Sequence, residues 1–124
     1  MAIERFEDIE AWKTARSLVH TLYETIRGSQ LGRDFGLRDQ MQRAAVSIMA
    51  NIAEGFDGRS DQEFVRFLGY AYRSASELQS HLYVAEDRGY IDHATFNRLY
   101  DQATIVKKLL NGFIRYLKGE GGLA

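Results

Sequence analysis

Three histidines, His20, His81 and His93, are the residues of this chain best suited to holding a metal or moving a proton. A carboxylate-bridged di-iron centre in a helical bundle needs a Glu from each of two helices and two Glu-x-x-His pairs, so that oxygen and imidazole ligands converge. Glu77 and His81 stand four apart rather than three, and His20 and His93 have no such partner. The spacing builds no metal site, and solvated or half-buried histidines are expected. Cysteine is absent, which removes disulfides, thiolate metal sites and thiol nucleophiles together. Gly55-Phe56-Asp57-Gly58 lacks the Gly-Lys-Ser/Thr of a phosphate-cradling P-loop. No Gly-x-Ser-x-Gly elbow presents a serine nucleophile. No catalysis, cofactor or small-molecule substrate is expected.

Binding is better represented than chemistry. Gln40, Arg43, Ser47, Asn51 and Glu54 recur at spacings of three and four, which lines them up beside the apolar seam of one helix. Ser and Asn are mediocre mid-helix residues, because their side chains compete for backbone hydrogen bonds. The stripe could bond within the bundle, across a subunit contact or to a ligand, and an ordinary polar face is the leading alternative. Arg66 and Arg73 lie one heptad apart on the outer face of a later helix, with Arg59 just before it. Lys107, Lys108, Arg115 and Lys118 add positive charge to the last helix. Repeated around an oligomer, such a surface would attract phosphates. Glu77 and Asp87 share the arginine helix, and a solvated charged face is the alternative.

A second apolar stripe, Ile105, Leu109, Gly112 and Tyr116, lies by helical angle nearly opposite the core seam of the last helix. A helix apolar on two sides touches something besides its own domain. Gly112 costs about 1 kcal/mol against alanine in mid-helix, so a packing reason is expected, and close approach of another subunit supplies one. These four residues are the expected oligomer interface; the alternative is that the helix sits deeply in its own bundle or that the tail folds over it.

The elements that must position these residues follow from periodicity. A first helix is expected from Asp8, as N-cap, to Arg27, with Ile9, Trp12, Ala15, Val19, Leu22 and Ile26 inward. Gly28 suits a left-handed end, and Gly32 and Gly36 punctuate the loop beyond it. The second helix, Leu37–Glu54, turns Leu37, Met41, Ala44, Ala45, Ile48 and Ile52 inward and stops at Gly55. Several of these are small, so a neighbouring backbone can approach closely. Ser60 and Glu63 form a capping box that opens the third helix, Asp61–Arg88, with Phe64, Phe67, Ala71, Ala75, Leu78, Leu82 and Ala85 inside. Gly89 ends it. Asp92 caps the fourth helix, His93–Lys118, whose seam is Phe96, Leu99, Ala103, Val106, Leu110, Phe113 and Leu117.

No proline interrupts the 124 residues, which favours long helices. A 3.5-residue repeat joined by short loops predicts an all-α, antiparallel up-down-up-down four-helix bundle of left-handed supercoil. It forms one domain over 1–118, with a frayed, flexible tail over 119–124. Sixteen Lys and Arg against seventeen Asp and Glu leave a net charge of −1, so the chain as a whole carries no nucleic-acid footprint. There is no membrane-length apolar run, and the N-terminus is acidic where a signal peptide is basic. A soluble cytoplasmic protein is expected.

Ala44-Ala-Val-Ser-Ile-Met-Ala-Asn-Ile-Ala-Glu-Gly55 resembles the hallmark RRAAVSIPANIAEG of the S23 ribosomal, or 23S rRNA intervening-sequence, family of four-helix bundles. Phe6-Glu-Asp-Ile-Glu-Ala-Trp12 is similar to its FEDLxVW opening. Glu63-Phe64, Arg66-Phe67-Leu68, Ala71, Ser74, Glu77-Leu78 and Gly89-Tyr90-Ile91 match its third helix and the following turn. The resemblance implies a small bacterial protein that self-associates, typically as a homopentamer, with no enzymatic activity. It also implies kinship with retroelement accessory proteins that bind a reverse transcriptase and nucleic acid. Met49 stands where the family has proline, softening the expected kink, and Gln42 replaces an arginine. Slight acidity also separates this chain from the strongly basic accessory proteins. The expected function is a non-catalytic, homo-oligomeric binding module for structured RNA or a ribonucleoprotein. The alternative is a protein–protein adaptor without nucleic acid.

Overall fold

Side-chain caps set three of the four helix starts in the computed structural model, which describes residues 3–119. Helix α1 (Glu10–Arg27) is the exception: Ile9 precedes it with no side-chain cap, and Asp8 belongs to a short 3-10 turn, Phe6–Asp8. The expected Asp8 cap is therefore corrected. Helix α2 (Phe35–Phe56) begins where Asp34 Oδ1 accepts from the Leu37 amide at 3.1 Å. Helix α3 (Asp61–Asp87) begins where Ser60 Oγ accepts from the Glu63 amide at 3.1 Å, the expected first half of the capping box. Helix α4 (His93–Leu117) begins at Asp92, whose Oδ1 accepts from the Thr95 amide at 2.8 Å. That backbone bond, with the Thr95 side chain, holds the Asp92 carboxyl below the usual carboxylate range.

The helix ends separate two uses of glycine. Gly89 has φ of +74°, and the Tyr90 and Gly89 amides donate to Ala85 and Glu86 carbonyls, both at 2.9 Å, the Schellman arrangement. Gly28, expected to be left-handed, has φ of −95° and is not. Gly55, expected as a stop, lies inside α2, which continues to Phe56. A Cβ on Gly55 would come within 2.8 Å of Phe64 Cδ1 and Phe67 Cβ. Its role is closeness to α3, not termination. Of the expected tail, Gly119 adopts φ of +73° and residues 120–124 lie outside the described residues.

Neighbouring helices pack α1 on α2, α2 on α3, α3 on α4, and α4 back on α1. Gly55 of α2 meets Phe67, while Ser47 meets Ser74, so α2 and α3 run in opposite directions. Phe113 packs edge-on against Phe64 at 5.1 Å and Phe96 packs near Tyr83 at 4.9 Å, which sets α3 and α4 antiparallel as well. Met41, Ala44, Ala45, Ile48 and Ile52 of α2 and the six seam residues of α4 from Phe96 to Phe113 are buried as expected. On α1 the fully enclosed side is Ala11, Ala15, Leu18 and Leu22, with Trp12 and Val19 on its flanks. On α3 Leu68 is enclosed and Phe67 only half so. Both shifts are one position, because an aromatic or valine at a seam edge satisfies the same spacing as the true centre.

Candidate functional site

Helix α4 carries the second apolar stripe at its side, not at its back. Successive residues turn by about 100°, which brings Leu109 within reach of the Val106–Leu110–Phe113 seam. Leu109 is half-buried and packs on the core, correcting the expectation that the stripe opposes it. Ile105 is 50% exposed and Tyr116 39% exposed. Leu109, Gly112 and Tyr116 form one wall of an apolar groove of about 450 Å³ whose other wall is Ile3, Ile9 and Ala11. Lys108 stands on the α4 wall, and Asp8 and Glu10 on the other. A Cβ on Gly112 would meet nothing within 4 Å, so this chain's own packing does not require glycine there.

The polar stripe of α2 divides. Ser47 Oγ lies 2.9 Å from Ser74 Oγ of α3, and Asn51 Nδ2 donates to Ser47 O and Oγ at 2.9 and 3.0 Å. These two residues are spent inside the bundle, cross-linking α2 to α3. Gln40, Arg43 and Glu54 remain exposed.

Arg59, Arg66 and Arg73 are exposed, and none is ion-paired among the described residues. Arg66 holds its guanidinium 5.4 Å from the Phe67 ring. Lys107 does not join the outer charge of α4. Its Nζ donates to Gln79 Oε1 at 3.0 Å and lies 4.8 Å from the Tyr72 ring centre.

Each of two histidines pairs with a glutamate: His81 Nε2 with Glu77 Oε2 at 3.3 Å, and His93 Nδ1 with Glu86 Oε2 at 2.8 Å. His20 is exposed, and no three His, Cys, Asp or Glu converge as metal ligands among the described residues. Tyr83 lies beside Tyr100, whose phenol raises the Tyr83 pKa above its ordinary value by charge repulsion and hydrogen bonding. Nothing in these pairs aims a nucleophile or base at a cavity.

Two arrangements escaped the periodicity. Gln79 is only 6% exposed, with Nε2 donating to Tyr100 O at 3.2 Å and Thr104 Oγ1 at 2.9 Å. Its spacing from Ala75 and Leu82, four and three, is the signal that could have found it. Arg27, Arg33 and Arg38 gather at one end of the bundle, around the short loop between α1 and α2. Their spacing follows no single helix, so no periodic template unites them.

The chain matches 23S rRNA-intervening sequence protein over residues 7–112, nearly the whole bundle. It belongs to that family. Among solved structures, the chain is similar to a protein of unknown function from the S23 ribosomal protein family of Bacteroides thetaiotaomicron. The TM-score is 0.78 at 21% identity, with 85% of this chain and 98% of that one covered. At that identity the likeness carries the fold. No curated protein matches. Neither family description names an enzymatic activity, and no described helix is long and apolar enough to cross a membrane.

Proposed function

We propose that this member of the 23S rRNA-intervening sequence family is a non-catalytic module that assembles with copies of itself, typically five, and holds structured RNA. The observation that carries self-assembly is the α4 stripe around Gly112. A mid-helix glycine with open space over it, flanked by Ile105 and Tyr116, leaves room for another helix to approach closely. The groove's rim favours a second copy as occupant: Lys108 on one wall and Asp8 and Glu10 on the other are self-complementary charges. With a net charge of −1, copies do not repel strongly.

Ile105→Glu is the sharper variant, because Leu109 also packs on the bundle core and its replacement would weaken the subunit itself. Light scattering of the wild-type chain is expected to give a multiple of 14.2 kDa, and Ile105→Glu the single subunit with unchanged helicity. A wild-type monomer, or a variant that assembles as before, would sink the assembly reading.

RNA is the favoured partner because Arg66 and Arg73 present unpaired guanidinium groups one heptad apart on α3, with exposed Arg59 just before the helix, and the family's name points to 23S rRNA. Phosphate contacts release counterions, so binding should fall steeply between about 50 and 200 mM salt. Gel shifts with 23S rRNA fragments should show this dependence, and Arg66→Glu/Arg73→Glu should abolish the low-salt complex. Absence of any complex at micromolar protein in low salt, with a partner protein that survives nuclease treatment, would favour the adaptor reading instead.

A further inference from the structure

We propose that the arginine-lined cleft between the end of α1 and the start of α2 binds a phosphate monoester. Arg27, Arg33 and Arg38 border an open cleft of about 860 Å³, together with Ser29, Gly89 and Tyr90. The site lies at the end of the bundle where α3 finishes. Arg59 precedes the other end of that 27-residue helix, roughly 40 Å away at 1.5 Å per residue. The proposal is thus independent of the RNA surface on α3.

The loop that carries the arginines is held in one shape. Leu31 is buried, its amide donates to Ser29 Oγ at 3.3 Å, and a Cβ on Gly32 would stand 2.8 Å from Ile26 O. Glycine lets the 3-10 turn Gln30–Arg33 lie against the end of α1, which brings Arg33 to the cleft that Arg27 also lines. Arg38 is fixed by its own bonds: Nε to Asp39 Oδ1 at 3.0 Å and Nη1 to Gly32 O at 3.2 Å. Its guanidinium also lies 4.7 Å from the Phe35 ring centre. Two of its five N–H groups are engaged, and the rest stay available.

Three nearby carboxylates equal the three arginines in formal charge, but each is already engaged by groups of this chain, which leaves guanidinium donors of Arg33 and Arg38 for an incoming anion. Asp34 is occupied on both oxygens, by the Leu37 amide at 3.1 Å and the Tyr90 hydroxyl at 3.0 Å. Asp39 holds Arg38 from the side, and Glu24 lies 3.3 Å from Arg27 with both side chains largely exposed. Arg33 has no ion pair among the described residues. Planar guanidinium forks match the several acceptor oxygens of a phosphate, and a dianionic monoester answers three cations better than a single carboxylate does. The cleft has room for more than an isolated anion, which fits an ester of nucleotide size.

A free mononucleotide and the 5′-phosphate of an RNA end share this chemistry. Calorimetry with adenosine monophosphate, adenosine, and an RNA hexamer with or without its 5′-phosphate separates them. Binding of at least one phosphorylated probe is expected with a Kd below about 1 mM, and at least ten-fold weaker in Arg33→Ala. Adenosine should not bind, and the Arg66→Glu/Arg73→Glu variant should keep the site. Preference for the phosphorylated hexamer assigns the site to an RNA end, and comparable binding of the monophosphate assigns it to a free nucleotide. Arg33 is exposed, so the variant should fold, and its circular dichroism checks that. No binding of either phosphorylated probe at ten times that concentration, equal binding by Arg33→Ala, or a hexamer indifferent to its 5′-phosphate together with no binding of the monophosphate would each overturn the proposal.

Discussion

Gly55→Ala is expected to lower the unfolding free energy by about 1–3 kcal/mol, although alanine is the better helix former. Propensity alone argues the other way, favouring alanine by about 1 kcal/mol in a helix interior. Steric contact decides the sign. The new methyl would sit 2.8 Å from Phe67 Cβ, an atom bonded directly to the α3 backbone, and 2.8 Å from Phe64 Cδ1. A flexible chain end could swing aside, but Phe67 Cβ moves only if α3 moves. Phe64 is pinned in turn, edge-on to Phe56 at 6.2 Å and to Phe113 at 5.1 Å. Gly69 is the internal control: it lies inside α3 with nothing within 4 Å of its would-be Cβ, so Gly69→Ala should be neutral to stabilising. Thermal melts followed by circular dichroism should separate the two by several degrees. An unchanged or raised Tm in Gly55→Ala would show that α2 and α3 do not need this closeness.

Gly55 also marks the boundary between what a local segment encodes and what a neighbouring helix imposes. The family resemblance and the four helices were legible, because amphipathic spacing and the Ser60 and Asp92 caps are local signals that one segment contains. Gly89 was legible for the same reason. Gly55, Gly28 and Gly89 look alike in sequence, yet only Gly89 of the three is left-handed. Gly55 is fixed by a neighbour's ring, which no local pattern records. The polar stripe of α2 was legible as a stripe, but Ser47 and Asn51 turn inward only because Ser74 stands opposite on another helix. Arg27, Arg33 and Arg38 converge through the turn that Gly32 permits, across elements of different period. Lys107 read as surface charge because a partner on another helix, 28 residues earlier in the chain, is invisible to spacing.

That partner carries the other large expected effect. Gln79→Ala should cost about 2–4 kcal/mol, from the void left by the shortened side chain and from the lost bonds between α3 and α4. The Gln79 amide uses both ends: Nε2 donates to Tyr100 O and Thr104 Oγ1, and Oε1 accepts from Lys107 Nζ. Thr104 keeps a bond of its own, donating to Tyr100 O at 3.1 Å, so the group left stranded is the Lys107 ammonium. Gln79→Leu keeps most of the volume and should cost less than Gln79→Ala, and Lys107→Met added to Gln79→Leu should recover part of that loss. Removing both partners of a buried polar contact is gentler than removing one. Urea unfolding of the two single variants and the double should therefore give a coupling energy of about 0.5–3 kcal/mol. If the double variant loses the full sum of its parts, the amide and the lysine are merely neighbours. In that case the contribution of Gln79 rests on its packing and on its Nε2 bonds to Tyr100 O and Thr104 Oγ1, and not on Lys107.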